Sequence, residues 1–264
     1  MKTIKLASLI FIISTMLIQT AAHAESFRAR IVKIEGHVYV VNAEGEQRKP
    51  AKKQYLVNSN ETVITRKDSK AVIQFEDGAM SVLDEKSSLR VEQSGWLSQL
   101  GGKVYYVFRK VFGRDKPKKV KTKFATIGIR GTTFIVNVDF NNQQVALQEG
   151  KLNIESPEGD YEVLKADVKA DDFAAFKKQS KRDKQLMDDE FLEYKKKINK
   201  EFVEYKKSFD LEANTVVSIS GKRVVETELD QGWESSFDDF SEFSKDYIDA
   251  YRELDKDAKN NSPD

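Results

Sequence analysis

Apolar and polar residues alternate through much of the first 165 positions, and turn signals interrupt the alternation. Arg30–Val41 alternates and is followed by a turn at Ala43–Glu46. Thr62–Thr65 predicts a short strand, Lys67–Ser69 a turn, and Ala71–Phe75 another strand. Glu76-Asp77-Gly78-Ala79 is a hairpin signal of the Asp-Gly kind, after which Met80–Leu83 returns. Glu85–Ser88 turns again, Leu89–Val91 continues, and Val104–Phe108 predicts a further strand. Strands therefore recur about every eight to twelve residues, the spacing of sandwiches, barrels and solenoids. The expected fold is mainly β over residues 25–165, either a short-strand roll of solenoid type or a sandwich.

The period changes after residue 166. Asp171 and Asp172 suit a helix N-terminus, and neither proline nor glycine follows until Gly221. Apolar residues fall at Phe173, Phe176, Met187, Phe191, Tyr194, Ile198, Phe202, Tyr205 and Phe209. From Glu190 the run E-F-L-E-Y-K-K-K-I-N-K is echoed by E-F-V-E-Y-K-K-S-F-D-L. A period of eleven keeps an apolar stripe on one face of a nearly straight helix. The pattern predicts a long inserted amphipathic helix over 166–211. It either lies on the β domain or protrudes as a coiled-coil arm through which two copies of the chain could associate. A β-hairpin then returns over 212–230, with Thr215–Ser220 and Arg223–Leu229 flanking Gly221-Lys222. Within 231–254, Phe237, Phe240, Phe243, Tyr247, Ile248, Tyr251 and Leu254 have helical spacing, with acids on the opposite face. Residues 255–264 are polar and read as a disordered tail.

The N-terminus reads as a targeting segment rather than part of the fold. Lys2 and Lys5 precede a largely apolar stretch, and Ala22-His23-Ala24 is a small-x-small cleavage site. Residues 1–24 therefore predict a secretory signal peptide cut between Ala24 and Glu25, releasing a periplasmic or secreted protein.

Composition removes several chemistries. There is no cysteine, hence no disulfide, thiolate metal site or cysteine nucleophile. His23 leaves with the signal, so His37 is the one imidazole in the mature chain. A Ser-His-Asp triad or a multi-histidine zinc site has little to build from. The expectation is no catalytic residue, metal or cofactor. Charge is divided unevenly: residues 25–165 hold 24 Lys and Arg against 18 Asp and Glu, whereas 166–264 hold 18 against 25. That balance, with secretion, argues against nucleic acid as a partner. The densest positive run is Lys103–Lys123, nine cations against Asp115 alone. It reads as a solvated hairpin tip or as a docking element for an anionic envelope partner. For docking the candidates are Lys110, Arg114, Lys116, Lys118, Lys119, Lys121 and Lys123, with Phe108 and Phe112 as anchors.

One stretch carries more information than any other. Phe124–Phe134 reads F-A-T-I-G-I-R-G-T-T-F, with Gly128 and Gly131 three apart, and Glu149-Gly150 follows. Upstream lie Gly36-His37-Val38, then Thr65, Ser69, Ala71, Ile73 and Phe75, then Asp77-Gly78, Ser87 and Leu89, and Gly102-Lys103-Val104. In order and spacing these pieces resemble the FecR family of bacterial envelope proteins over roughly residues 31–155. The signature residues on this resemblance are Asp77, Gly78, Gly128, Arg130, Gly131, Thr132, Glu149 and Gly150. Lys121–Thr126 lacks the proline that often precedes the G-x-R-G-T piece. The resemblance implies a non-enzymatic binding or scaffold module that recognises an envelope protein or an anionic cell-wall or lipid surface. A cleavable signal would replace the family's anti-sigma segment and membrane helix. Two other readings stay open: the periplasmic part of a signalling relay with a separate membrane partner, and a carbohydrate- or peptidoglycan-active enzyme using two carboxylates.

Overall fold

The computed structural model describes residues 29–45, 48–92, 96–108, 118–164 and 203–260, with 251–260 as backbone only. The expected signal peptide, the middle of the basic run and the first part of the expected long helix lie outside these residues. In chain order the strands begin with β1 (Ala29–Glu35), β2 (Val38–Val41), β3 (Arg48–Pro50), β4 (Leu56–Val57) and β5 (Thr62–Thr65). Next come β6 (Lys70–Phe75), β7 (Met80–Leu83), β8 (Ser88–Val91), β9 (Trp96–Phe108) and β10 (Lys118–Lys121). Then follow β11 (Thr126–Ile129), β12 (Thr132–Val138), β13 (Gln143–Glu149), β14 (Lys151–Glu155) and β15 (Tyr161–Leu164). The last are β16 (Val203–Lys206), β17 (Ser208–Glu212), β18 (Thr215–Ser220) and β19 (Arg223–Glu228), followed by one helix, α1 (Gln231–Asn260).

The strands form two sheets that share β9. The first runs β4-β1-β6-β7-β9-β12-β13-β18-β19-β15-β16. The second runs β3-β2-β5-β8-β9-β10-β11-β14-β17. Among the described residues only the β9–β10 and β15–β19 ladders are parallel. Apolar side chains from the two inner faces form the main core, from Val38, Val63 and Leu89 to Phe134, Leu152 and Val217. The molecule is thus a sandwich.

The chain passes between the sheets at corners, and a residue with positive φ occupies most of those described; the step from β16 to β17 at Lys207 is made without one. Gly36 (φ 70°), Asp68 (54°), Lys86 (53°) and Gly102 (80°) form one row, joining β1 to β2, β5 to β6, β7 to β8 and the two halves of β9. Gly131 (65°), Gly150 (93°) and Asn214 (62°) form another, joining β11 to β12, β13 to β14 and β17 to β18. A left-handed residue interrupts the pleat and redirects the strand out of its sheet. Register sets the rows at opposite edges: along the β9–β12 ladder Gly102 faces Val138, and Phe108 faces Thr132. The alternating run Arg30–Val41 is therefore two strands in two sheets, divided at Gly36.

Helix α1 is a third layer on the outer face of the first sheet. Asp230 caps its N-terminus, its Oδ1 accepting from Trp233 N at 3.0 Å. Phe237, Phe240 and Ile248 are buried against Val72, Val82, Tyr105 and Ile135, with Tyr105 and Phe240 stacked at 5.7 Å. Lys33 Nζ donates to the Phe243 carbonyl at 2.8 Å, and Tyr247 OH donates to the Val32 carbonyl at 3.0 Å. The expected C-terminal helix is present, but it runs to Asn260, through the start of the stretch read as a tail.

The expected helix over 166–211 fails at its described end. Residues 203–206 and 208–212 are β16 and β17. Val203, Tyr205, Phe209 and Leu211 fit a period of two as well as a helical stripe. Backbone partners on β15 and β14 decide between the periods, and Leu211 is buried opposite Leu152. Tertiary pairing here overrides local pattern.

Candidate binding surface

Most of the signature residues meet at one edge of the sandwich. Gly131 and Gly150 are neighbouring corners, and a Cβ on Gly150 would lie 2.5 Å from the Gly131 carbonyl oxygen and 2.7 Å from Thr132 Cγ2. Thr132 is buried, and Glu149 is exposed beside it on β13. Asp77 and Gly78 form the tight turn between β6 and β7, where Ala79 N donates to Asp77 Oδ1 at 3.1 Å and Gly78 has φ 82°. The Asp77 carboxylate pairs with the Lys118 ammonium, which lies 5.2 Å from the Phe108 ring centroid. Phe108 in turn faces Thr132 across the ladder. Phe108 and Lys118, which flank residues 109–117 within the basic run, therefore lie beside the Gly131 corner. Arg130 is exposed at that corner, and no described residue pairs with its guanidinium.

Gly128 behaves differently from Gly131. It sits within β11, and an added Cβ would only touch Asn153 at ordinary contact distances of 3.6 and 3.7 Å. A Cβ is thus excluded at the Gly150 corner and tolerated at Gly128. Gly131→Ala should lower stability by about 1 kcal/mol or more, the cost of a left-handed alanine, whereas Gly128→Ala should cost nothing and gain up to about 1 kcal/mol. Urea midpoints of the two variants provide the comparison, and equal midpoints would refute it.

The basic candidates are dispersed. Lys110, Phe112, Arg114 and Lys116 lie outside the described residues. Phe108 is 5% exposed and stacks on Tyr106 and Phe134 at 6.0 and 6.2 Å, so it is a core residue and not a surface anchor. Lys118 is committed to Asp77, and burial pushes its ammonium down to about 8, still above neutrality. Lys119 and Lys121 alternate with buried Val120 and so project from the outer face of the second sheet. Lys119 Nζ lies 4.9 Å from the Trp96 ring centroid. Lys123 stands at the opposite edge, between the rings of Phe124 (4.8 Å) and Phe140 (5.0 Å).

Two residues of this face escaped the sequence reading. Trp96 opens β9, and its alternation with buried Leu97 was the available signal. Arg90 lies on the adjacent strand, its Nε donating to Thr62 Oγ1 at 3.2 Å. Across β9, Arg90 faces Ser98, which faces Lys121. No described carboxylate pairs with Arg90, Lys119 or Lys121. Lys151, by contrast, is held by Glu212 at 2.8 Å and Asp210 at 3.1 Å. The side of the face on β8–β10 is thus positive, and the side on β14 and β17, where Lys151 meets two carboxylates and Glu155 is exposed, is negative.

No curated protein matches the chain. Two crystal structures of a candidate anti-sigma factor from Parabacteroides distasonis, at 1.65 and 2.50 Å, resemble it at 13% identity and a TM-score of 0.41. In each case 64% of this chain and 60% of the other are covered. The family model "FecR protein" matches residues 61–172. That span runs from β5 past β15 and includes the basic run and the Gly131 and Gly150 corners, with the sandwich extending beyond it on both sides. The chain carries a FecR domain.

Proposed function

We propose that the chain is a non-enzymatic periplasmic binding module that uses the positive face of its FecR domain to dock on an anionic envelope partner, as part of an envelope signalling relay. The observation that carries this reading is the placement of Lys119 and Lys121 on an outer sheet face beside Arg90, with no described carboxylate to neutralise them. The relay role draws on the FecR match, and the compartment on the signal-like first 24 residues. Attraction of this kind acts at long range and is screened by salt, since the Debye length falls from about 10 Å at 0.1 M to about 3 Å at 1 M.

The experiment is sedimentation with purified cell wall and flotation with phosphatidylglycerol vesicles. Wild type should bind in low salt and release in high salt. Lys119→Ser with Lys121→Ser should bind several-fold more weakly, with a melting temperature within about 2 °C of wild type because both side chains face solvent. Equal binding by wild type and the double variant would remove the face as the docking surface.

A further inference from the structure

We propose that the outer face of the second sheet, from β8 to β14, is a platform for an acidic polysaccharide. The proposal rests on the anionic-partner reading above and names the chemistry of that partner. Strands β8, β9, β10, β11 and β14 are all interior to the sheet, each paired on both sides. No backbone edge is open there for a peptide to add as a strand, so recognition falls to side chains.

Those side chains suit a sugar chain. The Trp96 ring lies on the face with an ammonium against it, and a flat ring next to polar groups matches the mixed apolar and hydroxylated faces of a pyranose. Ser98, Thr126 and Asn153 occupy the same face and offer hydroxyl and amide groups. Gly128 lies in register between Lys119 and Asn153. Its backbone needs no glycine, and a glycine inside a strand costs about 0.5–1 kcal/mol relative to alanine. What its missing side chain provides is a gap in the surface, where a ligand can approach the backbone closely.

Charge sets the ligand class. Arg90 and Lys121 stand on either side of Ser98, two strand spacings or about 10 Å apart, close to the length of a disaccharide. Carboxylates repeating along a polysaccharide can meet both. At the far end, Asn153 Nδ2 donates to Asp210 Oδ1 at 2.8 Å, and the Lys151 ion pairs leave no free positive charge. The platform therefore ends at β14.

The test is affinity electrophoresis in native gels containing alginate, a uronate polymer, or neutral dextran, with phosphatidylglycerol vesicle flotation alongside. Two variants act on the platform without changing charge. Trp96→Ala removes the ring, and Gly128→Tyr builds a side chain into the gap where a Cβ has room. Alginate should retard the wild type and dextran should not. Each variant should lose about tenfold in apparent alginate affinity while still floating with the vesicles. Wild-type retardation of both variants would overturn the platform, as would equal retardation by dextran. Vesicle binding that depends on Lys119 and Lys121, without alginate retardation, would reject the polysaccharide and leave the anionic reading standing. Binding to neither probe would reject both.

Discussion

Gly102→Ala should melt about 10 °C below wild type, from a loss of about 4 kcal/mol. Two costs add at this corner. The residue has φ 80°, and a left-handed alanine costs about 1–2 kcal/mol. The new Cβ would also lie 2.5 Å from Ser87 Cα and 2.8 Å from the Lys86 carbonyl oxygen, which are backbone atoms of the next corner. Neither can swing aside, so the clash moves two strands, on the scale of an overpacked core at about 1–3 kcal/mol. Gly221→Ala is the control, because an alanine there is also left-handed but meets nothing within 4 Å. Differential scanning calorimetry of the pair separates strain from collision. Equal melting temperatures would show that the Ser87 contact relaxes at no cost.

Gln99→Leu should cost about 3 kcal/mol, although it makes the core more apolar. Gln99 is 1% exposed between the sheets. Its Nε2 donates to the Gly102 and Val136 carbonyls at 2.7 and 2.9 Å, and its Oε1 accepts from the Tyr106 hydroxyl at 2.9 Å. Leucine would leave two carbonyls and a phenol buried without these bonds, at about 1–3 kcal/mol for each group that finds no other partner. Burial raises the Tyr106 hydroxyl well above its ordinary range, so it cannot escape by ionising. In Gln99→Leu with Tyr106→Phe the phenol is gone, and part of the loss should return. A double variant no more stable than Gln99→Leu would show that the phenol was not the source of the cost.

Much of the sandwich was legible in the chain. The Asp77-Gly78 hairpin, the β18–β19 hairpin at Gly221 and the apolar stripe of α1 all follow from local chemistry that the tertiary structure leaves in place. The corners were less legible. Lys86 takes a left-handed conformation that its side chain does not favour, held by Lys86 N donating to the Arg66 carbonyl at 3.2 Å. Phe108 was misread for a related reason. Val104–Phe108 is buried at every position, because alternate side chains enter the main core and the layer under α1. A strand covered on both faces has no alternation to mark which residues are free. The basic run likewise gave no sign that Lys118 turns inward to Asp77 while Lys119 and Lys121 turn outward. That division is a matter of strand parity, fixed only once β10 pairs with β9 and β11.

The reach of α1 across the first sheet also matters for a chain made one residue at a time. Its contacts from Phe243 to Lys33 and from Tyr247 to Val32 span 210 and 215 positions. Strand β1 is thus finished by an element made some two hundred positions later. Until then Val32, Val72, Val82 and Tyr105 form an uncovered apolar surface on a sheet that is otherwise complete. A nascent chain of this protein passes through a stage in which it is largely folded and still adhesive. How long that stage lasts depends on when the thirty residues of α1 arrive.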